Sequence, residues 1–259
     1  MDLGITGLNA LVLGGSQGLG YACARALAAE GVRVAINGRD LEKATRQAEA
    51  LGADAIALAG DVSSPQTRRA LVDAFQERVG RIDILVTNTG GPPPGPVEQH
   101  TRETWLAALE ANMLAAIDFA SMALPGMKEA GFGRIVNITS FTVRQPYPNM
   151  GLATGVRAGL TGVMASLAAE VAPLGITVNN LLPGLMDTEA LVRVYRAQSE
   201  REGISMDAAK HRMAESIPMQ RLGTADDFGA VCAFFCSRHA SYMTGQNVTV
   251  DGGLVKSLI

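Results

Sequence analysis

Cysteine is scarce in this chain. Only three cysteines occur among its 259 residues, at Cys23, Cys232 and Cys236. An odd and sparse set does not build the disulfide framework of a small secreted protein. Cys232 and Cys236 are spaced to share one face of a helix, but a metal site needs further ligands and His239 alone does not supply them. We therefore predict buried thiols and no metal site.

The chain also lacks a run of charge of one sign and a long apolar run. Its formal net charge is −3 and it has no cluster of Lys and Arg, so we expect no nucleic-acid partner. The longest stretch without charge, from Leu3 to Ala24, is broken by Gly, Asn, Ser and Gln, which is not the composition of a membrane span. No charged segment followed by an apolar one marks a signal peptide. We expect a cytoplasmic protein with no membrane partner.

What the chain does have is a regular alternation of short apolar runs and helix-like segments. Apolar residues make up 47% of the sequence, enough for one large core. The alternation predicts an α/β fold, a single Rossmann-type domain over residues 1–259 with a doubly wound parallel sheet and helices on both faces. Strands are predicted at 10–13, 32–36, 55–58, 82–87, 134–138, 177–182 and 246–250, and helices at 21–30, 41–51, 65–79, 101–127, 152–171 and 225–236.

Residues 188–220 form a long polar and charged segment between two predicted elements. In a doubly wound fold such an insertion lies over the carboxyl ends of the strands, where ligands bind. We therefore interpret this segment as a mobile substrate lid. The proline-rich tract from Gly91 to Pro96, between a strand and a helix, is typical of a stiff loop.

A glycine cluster follows the first predicted strand and precedes the first helix. Gly14 allows a tight turn, Gly18 allows the backbone to approach a pyrophosphate, and Gly20 allows the helix to pack close to the sheet. The helix N-terminus then offers free N–H groups and the positive end of its dipole to an anion. The loop predicts a dinucleotide site formed by Gly14, Ser16, Gln17, Gly18, Leu19 and Gly20.

The end of the second strand distinguishes between the two nicotinamide dinucleotides. An acidic residue there would bind the ribose 2′-hydroxyl of NAD, but Gly38 takes that place and Arg39 follows. A guanidinium can hold a 2′-phosphate through a charge-assisted bidentate pair. We predict that Gly38 and Arg39 select NADP(H), and that Asp40 caps the next helix.

With these motifs in place, the sequence resembles the short-chain dehydrogenase/reductase family along nearly its whole length. The resemblance rests on the glycine spacing, on Thr87-Asn88-Thr89-Gly90 and on the tail from Thr244 to Gly253. It implies further contacts to the cofactor and an oxidoreductase with a serine and an asparagine in its active site. The matching cofactor residues are Asp61, Val62, Asn88, Gly90, Pro183, Gly184 and Thr188, and the matching active-site residues are Ser140 and Asn112.

The chain departs from this family at its Tyr-x3-Lys pair. Counting 13 residues on from Ser140 reaches Ala153 in place of the tyrosine, and Arg157 stands in place of the lysine. Residues four apart on a helix share a face, so Arg157 remains placed to bind the ribose. It stays protonated and cannot exchange a proton readily. The resemblance implies that tyrosine is the family's general acid, and Ala153 has no ionisable group.

The sequence offers few substitutes for the lost acid. Tyr147, between Pro146 and Pro148, either lines the rim of the substrate pocket, which we favour, or swings its phenol into the vacated space. Ser140 either caps a loop or, as we favour, donates a hydrogen bond to a substrate carbonyl. The proton would then come from solvent.

We predict an NADP(H)-dependent oxidoreductase of carbonyls or alcohols, and the resemblance suggests a 3-oxoacyl-type substrate. The catalytic residues would be Ser140, Asn112, Arg157 and, less favoured, Tyr147. Two alternatives stay open: a nucleotide-binding protein with little or no catalysis, and a non-redox enzyme on the same scaffold. The partner would be a small-molecule substrate, and the resemblance implies a homo-oligomer, either a tetramer or a dimer.

Overall fold

A computed structural model describes residues 1–257 and contains one wholly parallel seven-stranded sheet. The order of the strands is β3-β2-β1-β4-β5-β6-β7, so that the chain leaves the middle of the sheet in both directions. This is the predicted doubly wound arrangement. The strands are β1 (Asn9–Val12), β2 (Arg33–Gly38), β3 (Ile56–Ala59), β4 (Ile84–Thr87), β5 (Gly133–Ile138), β6 (Ile176–Pro183) and β7 (Asn247–Val250).

Helices cover both faces of the sheet and enclose two apolar cores. One core lies beneath α3, α5 and α6 and contains Phe75 and Phe119, while the other lies beneath α1, α2 and α9 and contains Phe228. All three cysteines are free and buried, as predicted. The helices are α1 (Gly18–Ala29), α2 (Leu41–Leu51), α3 (Pro65–Arg78), α4 (Arg102–Leu109), α5 (Ala115–Ala130), α6 (Gly151–Val171), α7 (Glu189–Glu202), α8 (Met206–Glu215) and α9 (Ala225–Cys236).

Several helices begin at the caps that their sequences specify. Asp40 accepts a hydrogen bond from the Lys43 backbone N–H at the start of α2, as predicted. Thr224 and Asp227 form a reciprocal capping box at the start of α9. These caps satisfy N–H groups that the helix itself leaves unpaired, and so they fix where each helix meets the sheet.

A ladder of side chains crosses the buried part of the sheet. The Thr87 hydroxyl donates to Asn137 Oδ1 (2.7 Å), the Asn137 amide donates to Asn180 Oδ1 (3.0 Å), and the Asn180 amide donates to Asn247 Oδ1 (2.8 Å). Each residue stands directly opposite the next in the strand register. Because buried amides must be paired, this ladder favours one register for β4 to β7.

The structure corrects one predicted element. The helix expected at 101–127 is interrupted by a π-helical turn, Glu110–Leu114, between α4 and α5. Residues 188–220, for which no helix was predicted, contain the helices α7 and α8, which pack against each other, and their role as a lid stays a prediction. The other elements differ from the predicted bounds by three residues or fewer at each end.

Two stretches, Arg102–Ala130 and Gly151–Leu174, are long and apolar enough to cross a membrane by length and composition alone. Core helices of soluble proteins pass the same test. In this structure Phe119 and Met127 of the first stretch and Met164 of the second are buried against the sheet. Their apolar residues are therefore used in the core of the domain.

The amide ladder generates a stability prediction. Asn180→Ala leaves the Asn137 amide and the Asn247 oxygen without their partner, so we expect a loss of roughly 2–3 kcal/mol in the free energy of unfolding. Asn247→Ala, at the partly exposed last strand, should cost clearly less because water can replace the lost bond. Urea unfolding of both variants measures the difference. Equal losses would show that the ladder adds nothing beyond ordinary packing.

Candidate active site

The glycine loop lies where the sheet divides between β1 and β4. The Asn88 amide donates to the Gly14 carbonyl oxygen (3.2 Å). A Cβ on Gly14, whose φ is +55°, would lie 2.7 Å from Asn88 Nδ2, and a Cβ on Gly20 would press on the Gly14 carbonyl. Gly18, with φ +56°, has open space beside it, and Leu19 is half-buried at the start of α1. The loop therefore packs tightly on one side and leaves Gly18 open on the other.

A polar cluster occupies the end of β2, where a carboxylate is absent. A Cβ on Gly38 would lie 2.6 Å from Ser16 Oγ. The glycine loop and the end of β2 therefore lie too close together for an acidic side chain at position 38. Arg39 is exposed and has no hydrogen bond or ion pair within residues 1–257. Lys43 of α2 donates from Nζ to Gln17 Oε1 of the glycine loop. Sequence analysis missed Lys43 because this contact depends on how α2 folds back over the loop.

An open cavity of about 270 Å³ lies in front of the glycine loop. Gln17 and Gly18 line it on one side, and Thr188 with the first residue of α7 lines it on the other. The Lys210 amine of α8 bonds to Asp187 Oδ2 (2.6 Å) and holds α8 to this wall. The segment 188–220 thus begins at the cavity, a position compatible with the predicted lid.

Asp61 and Val62 form the loop after β3. The Ser63 backbone N–H donates to Asp61 Oδ1 (2.9 Å), and this bond, with the Ser63 hydroxyl and the charge of Arg39, lowers the pKa of Asp61 below its ordinary value. Asp61 is therefore ionised at neutral pH and can accept hydrogen bonds. The Val62 carbonyl accepts a hydrogen bond of 2.6 Å from Arg68 Nε.

A second, partly enclosed cavity is lined by Asn88, Asn112 and Arg157. It measures about 10 Å³, close to the minimum for one water molecule. Asn112 lies in the π turn and accepts a hydrogen bond from the Thr89 hydroxyl (3.1 Å). The structure therefore brings together the predicted active-site asparagine and the arginine that replaces the family's lysine.

The side chain of Arg157 forms no hydrogen bond or ion pair with any residue from 1 to 257. It is half-buried on α6, and burial lowers the pKa of its guanidinium below the ordinary value. A partly desolvated cation without a partner is costly, and an anion or a set of hydroxyl groups would offset that cost. A Cβ on Gly91, in the proline-rich loop, would lie 3.6 Å from Arg157 Nη2, so this loop passes close to the guanidinium.

Ser140 is buried at the end of β5, where it also caps a short 3-10 turn. Its Oγ accepts from the Thr142 backbone N–H (3.2 Å) and from the Thr142 hydroxyl (3.0 Å). With both lone pairs occupied, the Ser140 hydrogen remains available for donation. Both of the roles that we weighed for Ser140, capping and donation, are therefore compatible, and Thr142 orients it.

The structure places Ala153 and Tyr147 differently. Ala153 is buried on α6, one turn before Arg157. Tyr147 is 56% exposed, and its ring packs edge-on against Phe141, with 5.9 Å between the ring centroids. No hydrogen bond joins the Tyr147 hydroxyl to another residue of the described chain. Tyr147 thus lies at the surface, and its assignment to the rim of a substrate pocket stays a prediction.

The remaining predicted cofactor residues lie at or after the ends of β4 and β6, and Thr188 among them lines the open cavity. Pro183 ends β6, and a Cβ on Gly184 would lie 2.6 Å from Cβ of Asp251 in the tail. Thr188 begins α7, and its hydroxyl bonds to the Met186 carbonyl (3.4 Å). Gly90 is open to the surroundings, since no described atom lies within 4 Å of the position of its Cβ.

Comparison with known proteins identifies the family. Residues 14–255 match the model of a family described as enoyl-(acyl carrier protein) reductase. The chain is 34% identical to the NADPH-dependent reductase BacG of Bacillus subtilis (strain 168), over 96% of this chain and 98% of that protein. It is 31% identical to an acetoacetyl-CoA reductase of Cupriavidus necator, with 95% and 97% covered. The chain belongs to the short-chain dehydrogenase/reductase family, which confirms the predicted resemblance.

The solved structures agree with the fold. L-sorbose reductase from Gluconobacter frateurii, in complex with NADPH and L-sorbose, superposes with a TM-score of 0.96 at 29% identity, and the match covers 100% of both chains. The predicted Rossmann-type sheet is thus confirmed.

Alanine substitutions at Gly20 and Gly162 test whether the close packing of the glycine loop is needed for nucleotide binding. Gly20→Ala forces a Cβ onto the Gly14 carbonyl, so we expect lost nucleotide binding together with a lower melting temperature. Gly162→Ala, in α6, meets no described atom outside its own helix within 4 Å and should stabilise the protein by roughly 0.5–1 kcal/mol. Thermal unfolding and nucleotide titration of both variants decide the point. Normal binding by Gly20→Ala would contradict this account of the loop.

Proposed function

We propose that this chain is an NADP(H)-dependent oxidoreductase that acts on a carbonyl or alcohol substrate. The observation that carries the proposal is the side chain of Arg157, a cation without a partner among residues 1–257, in a cavity shared with Asn112 and with Asn88, which is bonded to the glycine loop. Such a site suits a ligand with a pyrophosphate at one end and ribose hydroxyls at the other.

The residues present fit this dinucleotide. Gly18 leaves its backbone open, Gly38 lies too close to Ser16 for an acidic side chain, and the Arg39 side chain has no hydrogen bond or ion pair within residues 1–257. A relative is named as an NADPH-dependent reductase, and a structural neighbour holds NADPH, so the predicted cofactor NADP(H) is confirmed. Arg39, and Lys43 beside it, would hold the 2′-phosphate.

The side chains would divide the work between binding and polarisation. Arg157 would donate to the ribose hydroxyls, and Asn112 would order a water in the enclosed cavity. Ser140, oriented by Thr142, would donate its hydrogen to the substrate carbonyl oxygen as negative charge develops there. When bound, the cofactor supplies the hydride. Solvent would supply the proton that tyrosine gives in the family, with Tyr147 the less favoured source.

The missing acid sets an expectation for the rate. Loss of a general acid typically costs on the order of 10²–10⁴ in rate. Ala153 has no group that could replace it, and Arg157 holds its proton too strongly. We therefore expect slow turnover, or a substrate whose oxyanion Ser140 and Arg157 can stabilise without immediate protonation.

One observation favours an alternative, a nucleotide-binding protein with little or no catalysis. Ala153 is a small buried residue at the position of the acid, while every predicted cofactor motif is retained. A sensor or regulatory subunit would need the cofactor motifs but would not need a general acid. A non-redox enzyme on the same scaffold is less favoured, because such a protein would not need the glycine loop.

Several finer points stay predictions. Residues 188–220 would form the substrate lid of the single domain 1–259, since α7 begins beside the cavity in front of the glycine loop. A 3-oxoacyl-type substrate has support from the relative named acetoacetyl-CoA reductase. A homotetramer or homodimer in the cytoplasm, with no membrane or nucleic-acid partner, remains our expectation.

The test of the proposed function is NADPH consumption with a panel of ketones and 3-oxoacyl thioesters. We expect turnover by the wild type, loss of turnover in Ser140→Ala, and little change in Tyr147→Phe. Tight NADPH binding by an inert wild type, with turnover appearing only in Ala153→Tyr, would instead favour the nucleotide-binding alternative.

The choice of cofactor gives a separate prediction. Hydrogen bonds to charged groups are worth about 1.5–3 kcal/mol, so Arg39→Leu and Lys43→Leu should each weaken NADPH binding roughly tenfold or more. Neither should change NADH binding, because NADH carries no 2′-phosphate. Titration with both nucleotides at fixed ionic strength measures the ratio. Parallel losses for NADPH and NADH would place these two cations outside the phosphate site.

A further inference from the structure

Arg68, on α3, is the largest fully buried side chain of the described chain, with 1% of its surface exposed. Its Nε, Nη1 and Nη2 all donate hydrogen bonds, and no other described arginine is bonded to so many parts of the chain. A buried guanidinium is tolerated only when its donors are satisfied. The partners of Arg68 therefore show which segments it fixes.

One side of the guanidinium holds the loop after β3. Nε donates to the Val62 carbonyl (2.6 Å) and Nη2 to the Ser63 carbonyl (3.3 Å). Ser63 in turn donates its backbone N–H to Asp61. Asp61 and Val62 match family positions that contact the adenine of the cofactor, so the resemblance implies that this loop forms the adenine end of the site.

The other side holds the π turn and the helix that follows it. Nη2 donates to both the carbonyl oxygen (3.0 Å) and the carboxylate (2.5 Å) of Glu110, and Nη1 donates to Asp118 (2.6 Å). The Glu110 carbonyl is also the acceptor for the Ala115 N–H that closes the π turn. Arg68 thus binds the turn at the carbonyl that defines it.

The π turn carries Asn112 into the active site. Asn112 accepts the Thr89 hydroxyl and lines the enclosed cavity with Arg157. A π turn inserts an extra residue and rotates the side chains that follow, so its retention decides where Asn112 faces. A single guanidinium accordingly contacts both the loop proposed for adenine and the turn that places Asn112.

We infer that Arg68 is a positioning residue, which holds the Asp61–Ser63 loop and the Asn112-bearing π turn in one arrangement so that both ends of the cofactor site are formed together. It touches neither substrate nor cofactor and acts through its bonds to Val62 and Glu110. The role in turnover rests on the proposed function, whereas the geometric role does not.

The test compares Arg68→Lys with a matched control, Arg134→Lys. Arg134 is an equally buried arginine, 2% exposed, which donates to the carbonyls of Gly133, Gly175 and Ser237 and does not line the cavities of the site. A lysine keeps the charge but cannot bridge the two segments. Both variants should lose stability, so stability alone does not distinguish them.

The first readout is binding of adenosine 2′,5′-bisphosphate, a probe of the adenine end that needs no catalysis. We expect Arg68→Lys to bind it roughly tenfold more weakly than the wild type, which is the loss that follows if the released loop holds its binding conformation in about a tenth of the molecules. Arg134→Lys should bind it normally. The second readout is the side-chain amide resonance of Asn112 in a ¹⁵N spectrum, assigned by its loss in Asn112→Asp. It should shift in Arg68→Lys and not in Arg134→Lys.

Glu110→Gln provides a milder variant in case Arg68→Lys does not fold. It retains Arg68 and its bond to the Glu110 carbonyl but weakens the bond between Arg68 and the side chain of residue 110. We expect the Asn112 resonance to shift in this variant as well. If the Asn112 resonance and the bisphosphate affinity are unchanged in the folded variants, or change equally in Arg134→Lys, the inference is wrong. A wild type that binds the probe but never turns over would contradict the proposed function and leave this inference standing.

Discussion

The glycine loop can lie against Asn88 because Gly14 and Gly20 have no side chains, and the rest of the site depends on that contact. It closes the gap where the chain leaves the sheet between β1 and β4, and it fixes the start of α1. With the loop in this position, Gly18 lines the open cavity and Asn88 lines the partly enclosed one. One close backbone approach therefore fixes the loop between the two cavities, which are the ends that we propose for the pyrophosphate and the ribose.

Around this frame the chain keeps the binding groups of its family and changes the group that moves the proton. Arg157 preserves a cation one turn beyond the position of the tyrosine, whereas Ala153, which is buried, has no ionisable group. Ser140 retains a free hydrogen because Thr142 occupies its lone pairs. In the proposed function these residues bind a dinucleotide and polarise an oxygen, and the group that the site lacks is the proton donor.

The sequence predicts what is decided by neighbouring residues. Alternating apolar runs locate the strands, glycine spacing locates the phosphate loop, and Asp40 identifies the cap of α2. The π turn at Glu110–Leu114 could not be predicted in this way. Its Glu110 carbonyl is bonded by Arg68, which lies 42 positions earlier in the chain, so the adjacent sequence does not reveal the contacts of the turn. Lys43 was missed for the same reason, since its contact with Gln17 forms only when α2 folds over the loop. The helices at 189–215 were hidden by the low apolar content of a segment that packs mainly on itself.

The central claim is that this site delivers hydride from NADPH without a side-chain acid at position 153. It is tested most directly by a single turnover with NADPH deuterated on the transferred position of the nicotinamide, using any substrate that the panel identifies. The account predicts deuterium on the former carbonyl carbon of the product for the wild type, and its loss in Arg157→Met. Retention of all the label on the bound nucleotide, across substrates that fit the pocket, would contradict the account and indicate a site that binds NADPH without using it.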